Sequence, residues 1–550
     1  MRQGSNSRYH RRVPSLTCQS FVELVRRNQA QGTTLAIPVG IRLLADQLTP
    51  VLAYRRLVST DERTAPSFLL ESVEGGQRQG RYSILSSRPS TQVVAFGRDV
   101  TIIKPDGSHT TSTHANPLHV PRELTRSIRF IEPAADRADA GLPACFLGGW
   151  VGYAGYDTVR YSEPDKLAAM PPDDRALPDL HMAMHEDVVV FDHVEKLVHV
   201  VRLAMVPEGA DAEAIYYNVC ARLDAVCDQI QRHSKPLSLG RVDREHSVPV
   251  LTSNMTRSQY ESIVERARSY IHAGDVFQVV LGQRFERASR VDPFDVYRAL
   301  RAVNPSPYMV YMQSPGCILV AASPEILCRV RRNESGGLVV TNRPLAGTRR
   351  RGRDAAEDAE LERELLADSK ETAEHAMLVD LARNDVGQVA RPGTVSCDEL
   401  MVIERYSHVM HISSTVTGTI RDGLDAWDAL HAALPVGTVS GAPKIRAMQI
   451  IDELEPVKRG PYGGGFGSIG LDGQMDIALA LRTIVVPTAG WDARTGNYEW
   501  IYHVQAAAGI VAQSDPTSEY QETIAKASAL ARAIELAERA FGAQDRPCRE

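Results

Sequence analysis

The chain has 550 residues, 43% of them hydrophobic, enough to bury a large core. A net charge of −6 and a pI near 6.3 leave no basic footprint for nucleic acid. No run approaches the roughly 18 apolar residues of a membrane span. The eight Cys show neither a CxxC pair nor a zinc spacing, so inert thiols in a reducing, cytoplasmic setting are expected.

The first 22 residues are rich in Arg and Ser and contain no acid before Glu23, a composition like that of a transit peptide. No cleavage or amphipathic signal accompanies it, so residues 1–34 are predicted to be a flexible tail. Residues 35–232 mix strands and helices in an N-terminal subdomain, with β-branched strands over 91–96 and 187–191 and a helix over 209–232. The polar stretch 233–255, carrying Pro236, Gly240 and Pro249, is predicted to be a linker.

A second unit spans 256–540. Thr256 and Gln259 form a capping box, and Tyr260, Ile263, Val264, Ala267 and Ile271 follow at helical spacing. Gly274-Asp275 ends that helix, and 276–281 reads as a buried strand. Further strands are predicted over 308–312, 318–322, 337–343, 413–418, 478–486 and 500–508. There is no internal repeat.

Residues 370–385 read as one helix without Gly or Pro. Glu371, Glu374 and His375 share one of its flanks. Such a flank is either a solvated face or a set of ligands for a hard cation, since carboxylates suit magnesium. A second helix opens near Asp515-Pro516, with Glu519 and Glu522 three apart. These acids either complement the helix N-terminus or supply a second magnesium carboxylate. Gly460 to Gly467 lacks the Gly-Lys-Ser/Thr ending of a nucleotide loop. Thr438-Val439-Ser440-Gly441 is not the nucleophile elbow of hydrolases.

Several segments in order carry a resemblance. They are Gly274-Asp275-Val276-Phe277-Gln278, Asn304-Pro305-Ser306-Pro307-Tyr308-Met309, Ser323-Pro324-Glu325 and Arg343-Pro344-Leu345-Ala346-Gly347-Thr348. The 370–385 helix, Arg405-Tyr406-Ser407-His408-Val409-Met410-His411, residues 435–444 and Tyr462-Gly463-Gly464 continue the series, and Leu70-Glu71-Ser72 and Gly149-Trp150 extend it into the first half. With these segments the chain resembles the chorismate-utilising enzymes, on the branch whose members aminate chorismate to anthranilate. The resemblance implies an α/β fold of the α+β type, a large two-subdomain β-sandwich with helices outside. It implies the first committed step of tryptophan biosynthesis, with magnesium as cofactor.

By that resemblance Glu374 and Glu522 hold the metal, and Glu325, His411 and Thr438 are catalytic. Glu325 is the general acid at the 4-hydroxyl, and His411 assists loss of pyruvate; from residue type alone a satisfied core histidine is the favoured reading of His411. Tyr462 and Arg482 grip substrate carboxylates, and Gly347, Thr348, Ala507, Ala508 and Gly509 line the substrate through their backbone. Arg482 lies in an apolar run read as a buried strand, so it needs an anionic partner, either an internal acid or a substrate carboxylate. Ala507 departs from the family, which has Gly there, and its methyl is expected to weaken substrate binding.

Ala346 stands where siblings with a lysine nucleophile carry Lys, and Gln278 where siblings that activate water carry Lys. Ammonia is therefore the expected nucleophile. The resemblance also implies L-tryptophan as feedback inhibitor, bound by Glu71, Ser72, Pro307, Tyr308 and Met309. No glutaminase sequence follows within the chain, so ammonia is expected from a separate glutamine amidotransferase subunit, in a heterotetramer of two large and two small subunits. The alternative of a different class is a non-catalytic tryptophan-sensing homologue, which would not need Glu325, Glu374, His411, Arg482 and Glu522 together. Within the enzyme class the alternative is a sibling making aminodeoxychorismate or aminodeoxyisochorismate.

Overall fold

A computed structural model describes residues 12–44, 46–60, 62–74, 78–133, 141–232, 234, 236–242, 251–406, 409–492 and 498–542. Ser407 and His408, part of the tail 1–34 and part of the linker 233–255 lie outside the described residues.

Two large, mainly antiparallel sheets dominate the chain, giving a mixed α+β fold. Among the described residues the first has thirteen strands. Its main path runs Thr252–Ser253, Gln278–Ser289, Trp500–Ile510, Thr483–Pro487, Cys317–Ser323, Tyr308–Ser314, Ser67–Glu71, Tyr82–Ser87, Asp187–Asp192, Leu197–Val206, Thr34–Leu44 and Ile128–Phe130. The second has twelve. Its path runs Leu345–Arg350, Val409–Thr419, Leu338–Asn342, Ile326–Arg332, Met475–Leu479, Gly465–Gly470, Gly149–Ala154, Leu180–His185, Thr91–Phe96, Asp99–Ile103 and His109–Thr113. Both sheets cross the division at 233–255. Ser67–Glu71 pairs with Tyr308–Ser314, and Gly149–Ala154 with Gly465–Gly470.

The sheets pack face to face. Phe68, Met312 and Leu319 of the first meet Val151, Tyr153 and Phe466 of the second. Phe68 is 1% exposed, and truncating such an aromatic to Ala costs about 3–5 kcal/mol, transfer and cavity terms together. Helices cover the outer faces. Arg257–His272 starts on the predicted capping box, Thr256 accepting from Gln259 N–H and Gln259 from Thr256 N–H. Ser369–Val389 is capped by Asp368, and Pro516–Phe541 has Asp515 at its N-cap position and Pro516 in its first turn.

Two expectations are corrected. Residues 18–28 are not a flexible tail but the helix Cys18–Asn28, with Phe21 and Val25 buried against the first sheet's outer cluster. Phe21, Leu24 and Val25 recur at i, i+3 and i+4, an apolar stripe that outweighs the polar composition around it. Residues 478–486 are not one strand. Met475–Leu479 belongs to the second sheet and Thr483–Pro487 to the first, and Arg482 between them has φ +46°. The apolar pattern is continuous because both strands are buried, while the chain changes sheets inside it.

Candidate active site

The site residues gather where the chain passes between sheets. Cys317–Ser323 ends the first sheet's strand, Pro324-Glu325 crosses, and Ile326–Arg332 enters the second sheet. Leu481 and Arg482 make the neighbouring crossing in the opposite sense. The two are tied by backbone bonds: Leu479 N–H donates to the Glu325 carbonyl at 3.0 Å and Ala322 N–H to the Arg482 carbonyl at 3.1 Å. Glu325 is 4% exposed, and its Oε1 accepts from the Thr438 hydroxyl at 3.4 Å. Burial pushes its carboxyl up to about 8, with the Thr438 bond opposing weakly. It therefore carries a proton at neutral pH. Among the described residues no carboxylate pairs with Arg482. Burial lowers its pKa, with Tyr406 opposing. With no described acid to neutralise it, its charge is available to an anion.

The carboxylates come together from the two helices, and their local partners differentiate them. Glu371 is held by Arg349 at 3.4 Å. Glu374 instead accepts from the neutral amide of Gln278 at 3.1 Å. Burial raises the pKa of Glu374, and the charges of Glu371 and Glu522 raise it further. Glu522 bonds Lys526 at 2.6 Å, and Lys526 also donates to the Ala507 carbonyl at 2.9 Å. Glu519 is buried, with its pKa raised by burial and by Glu522. Among the described residues no three acidic, imidazole or thiol groups close into a metal cage. What exists is Glu374, which has no cationic partner within ion-pair distance among the described residues, and Glu522 on the other helix, whose charge reaches it and which is itself paired with Lys526. Magnesium retains several waters and takes only one or two carboxylates, so this donor set fits it without a closed cage.

Gly509 makes the Gln278–Glu374 contact possible. It pairs with Val280, and a Cβ on it would lie 2.6 Å from Gln278 Nε2. With Nε2 turned to Glu374, Gln278 leaves a buried Oε1 that no described group satisfies.

His411 lies on Val409–Thr419 opposite a bulge between Ala346 and Thr348, where Gly347 takes φ +66°. Its Nδ1 is 3.1 Å from the Gly347 carbonyl and 3.1 Å from the Thr348 hydroxyl. A carbonyl only accepts, so Nδ1 carries the hydrogen and Nε2 keeps its lone pair. Burial, and then the charge of Arg482, pull the imidazole down to about 4. His411 is thus a neutral base at physiological pH.

Tyr462 is 4% exposed and packs with Val280 and Ala507, while its hydroxyl meets the Ala507 backbone. Ala507 pairs with Gly282, and a Cβ built on Gly282 would sit 3.3 Å from the Ala507 Cβ. The methyl of Ala507 has room because its partner has none. Ala508 is fully buried in a separate cluster, with Leu281 and Ile510. Arg459 and Glu455, buried beside Tyr462, and Lys526 were passed over in the sequence. The opposite charges of Glu455 and Arg459, four apart and just before Tyr462-Gly463-Gly464, were the available signal.

The residues expected to bind an inhibitor lie together on two paired strands. Met309 is opposite Glu71, with Pro307 and Tyr308 preceding it and Ser72 just past the strand end. Glu71 is buried, accepting from Tyr297 at 2.6 Å and Arg301 at 2.8 Å. Tyr308 donates to Asp476 at 3.0 Å. A surface cavity of about 560 Å³, lined by Arg122, Trp150, Asp425 and Trp427, involves none of these residues.

An enclosed neutral acid, an unpaired guanidinium and carboxylates from two helices make a site suited to a small, multiply anionic substrate. The chain belongs to the chorismate binding enzyme family, whose model it matches over residues 66–532. It is 49% identical over 531 residues to anthranilate synthase alpha subunit 1, chloroplastic, of Arabidopsis thaliana, covering 93% of this chain and 87% of that one. It is 46% identical over 501 residues to anthranilate synthase component 1 of Thermus thermophilus, covering 91% and 98%. The crystal structure of anthranilate synthase component I from Streptococcus pneumoniae superposes with TM-score 0.67 at 34% identity, covering 89% of this chain and 99% of that one. No described helix is long and apolar enough to cross a membrane.

Proposed function

We propose that this chain is the large, chorismate-binding subunit of an anthranilate synthase, converting chorismate and ammonia to anthranilate, pyruvate and water. Support comes from the family match and from relatives named for that activity. The observation that carries the choice of nucleophile is the Gln278 amide, whose Nε2 is spent on Glu374 and whose buried Oε1 is an acceptor with no described partner. On this reading ammonia donates to that oxygen when substrate binding uncovers it, and presents its lone pair to ring C2. A neutral amide cannot deprotonate water.

Glu325 gives its proton to the 4-hydroxyl, which leaves as water while ammonia bonds to C2, and the proton shed by the resulting ammonium restores the Glu325 carboxyl. His411 Nε2 serves the second stage, in which it removes the C2 proton as the ether C–O bond breaks and the ring aromatises, and that proton passes to the methylene carbon of the departing enolpyruvate to give pyruvate. Arg482 holds a substrate carboxylate as a fixed charge, and Tyr462 closes the floor beside it. Magnesium, held by Glu374 and Glu522, supplies charge neutralisation and Lewis acidity when bound.

The names of the relatives, alpha subunit and component 1, support a second subunit; we propose that it is a glutamine amidotransferase that supplies the ammonia, in a heterotetramer. The pairing of Glu71 with Met309 supports the reading of that region as a tryptophan inhibitor site. The seven described cysteines are free thiols, which supports a reducing compartment such as the cytoplasm. The deciding experiment mixes the chain with chorismate, magnesium and ammonium salt and follows anthranilate fluorescence. Isochorismate or 4-amino-4-deoxychorismate as main product, or no product at all, would overturn the proposal.

A further inference from the structure

Arg459 is 2% exposed, yet it spends its guanidinium on segments distant in sequence. Nη1 donates to the Val439 carbonyl at 2.6 Å and Nη2 to the Val280 carbonyl at 2.8 Å. Nε and Nη2 grip Glu455 at 2.9 and 2.5 Å, and Glu455 in turn accepts from Gly282 N–H at 2.7 Å. The guanidinium lies 4.6 Å from the Tyr156 ring centroid and 5.9 Å from that of Tyr462. From behind, Arg175 donates to the carbonyls of Lys458 and Arg459 at 3.2 and 2.9 Å.

Each segment held this way carries a site residue next to the point of attachment. Val439 follows Thr438, whose hydroxyl bonds Glu325. Val280 is two residues past Gln278 and pairs with Gly509, and Gly282 pairs with Ala507. Tyr462 is three residues past Arg459 itself. An ion pair buried this deeply is not required for stability, because an apolar pair of similar volume is often as stable. What an apolar pair lacks is a rigid planar fork that fixes two carbonyls and a carboxylate in one geometry.

We propose that Arg459, neutralised by Glu455, is a positioning residue that holds the Thr438 turn, the Gln278 strand and Tyr462 in mutual register. The inference concerns the site of the reaction proposed above and rests on that reading for its kinetic consequence. Arg459 touches no substrate atom in this role. It sets where the proton donor, the amide acceptor and the phenol ring stand.

The test replaces both partners, Arg459→Met with Glu455→Met, so that no charge is left unpaired. The double variant leaves the Val280 and Val439 carbonyls and the Gly282 N–H without these partners, so its Tm is expected to fall by several degrees while the chain stays folded. Its kcat is expected to fall about 100-fold, the scale of an ångström of misplacement, with KM for chorismate changed only several-fold. Arg459→Lys keeps the charge and loses the fork, and a similar fall in kcat is expected. A folded double variant, or a lysine variant, with wild-type kcat and KM would overturn the proposal. If the wild type makes no anthranilate, the functional proposal falls separately. Positioning is then decided by the crystal structure of the lysine variant, where Thr438 still 3.4 Å from Glu325 would overturn it.

Discussion

Glu325 and Arg482 occupy adjacent crossings between the two sheets, joined through Leu479 N–H on the Glu325 carbonyl at 3.0 Å and Ala322 N–H on the Arg482 carbonyl at 3.1 Å. A residue within a strand points its side chain into one packed face or the other. At a crossing the chain leaves the ladder, and the side chain enters the space between sheet ends. One crossing holds a carboxyl that keeps its proton, the other a cation with no acid to neutralise it. Burial keeps the proton on Glu325 and lowers the pKa of Arg482.

As the proposed general acid, Glu325 is expected to set the alkaline limit of activity. Its carboxyl is raised from 4.5 to about 8 by burial, so it is protonated below that pH. A general acid works only while protonated, and kcat is expected to fall as pH rises through about 8. Stability has the same sign: the folded state holds a proton the unfolded chain has released between 4.5 and 8, so this group's contribution is full below 4.5 and is lost as pH rises through 8. Glu325→Gln should lower kcat by about 10²–10⁴ and remove the alkaline limb. A retained limb in a pH–rate profile would assign it elsewhere.

Glu374 and Glu371 separate metal binding from helix charge. Both lie on Ser369–Val389, but Glu371 is bound by Arg349, while Glu374 accepts from Gln278 and feels the charge of Glu522. Removing even an outer partner of a metal ligand costs about 10–100-fold in metal affinity. Glu374→Gln should raise half-saturating magnesium by roughly 100-fold or more, and Glu371→Gln by less. Isothermal titration with magnesium measures both. Full turnover in excess chelator, or equal effects of the two substitutions, would remove Glu374 from the metal site.

His411 is a neutral base at working pH because burial and Arg482 hold it at about 4. On the proposed role in the second stage alone, His411→Ala should leave amination running and slow pyruvate loss by about 10²–10⁴. Chromatography of the reaction mixture should then show an aminated, non-aromatic intermediate. Chorismate consumed with unchanged anthranilate yield would place the base at another residue.

Ala507 and Gly282 form a size-matched pair across two strands. Ala507→Gly should change KM for chorismate less than threefold, a few tenths of a kcal/mol, because its methyl rests on Val280 and Tyr462. Gly282→Ala would place a Cβ 3.2 Å from the Ala506 carbonyl and 3.3 Å from Glu455. Overpacking of this kind costs about 1–3 kcal/mol, visible as a lower Tm. A tenfold gain in affinity from Ala507→Gly would show that the methyl obstructs the substrate after all.

Ser72 tests the inhibitor site. Tyr308 pairs with Ser323, two residues before Glu325, and Met309 pairs with both Glu71 and Ala322. A ligand on Tyr308 and Met309 thus acts on the hairpin that carries the acid, and its coupling with chorismate must be reciprocal. Ser72→Ala should raise the tryptophan concentration for half inhibition about tenfold, the worth of one good hydrogen bond, with uninhibited kcat unchanged. Wild-type turnover indifferent to millimolar tryptophan would remove the site.

Much was legible because it is local. The Thr256 capping box, the uninterrupted 370–385 helix and the Gly274 stop are short-range chemistry, and each appears where its residues place it. The expected site residues likewise stood in recognisable segments. The 478–486 run was misread for a physical reason: a strand buried on both faces has no period to betray a break, and left-handed φ at a non-glycine such as Arg482 leaves no mark in composition. The Phe21 helix was hidden by polar neighbours, although its apolar spacing was present.

By itself the sequence determined the inventory: which acids, which imidazole, which amide in place of a lysine, and the helices and strands that local patterning allows. Only the tertiary structure decided the states of those groups. Burial raises Glu325 to about 8 and lowers His411 to about 4. Arg349 takes Glu371 and leaves Glu374. Arg482 has no described acid beside it, while Arg459 has Glu455. Protonation, pairing and desolvation depend on which groups distant in the chain end up within a few ångströms, and no local pattern encodes that distance.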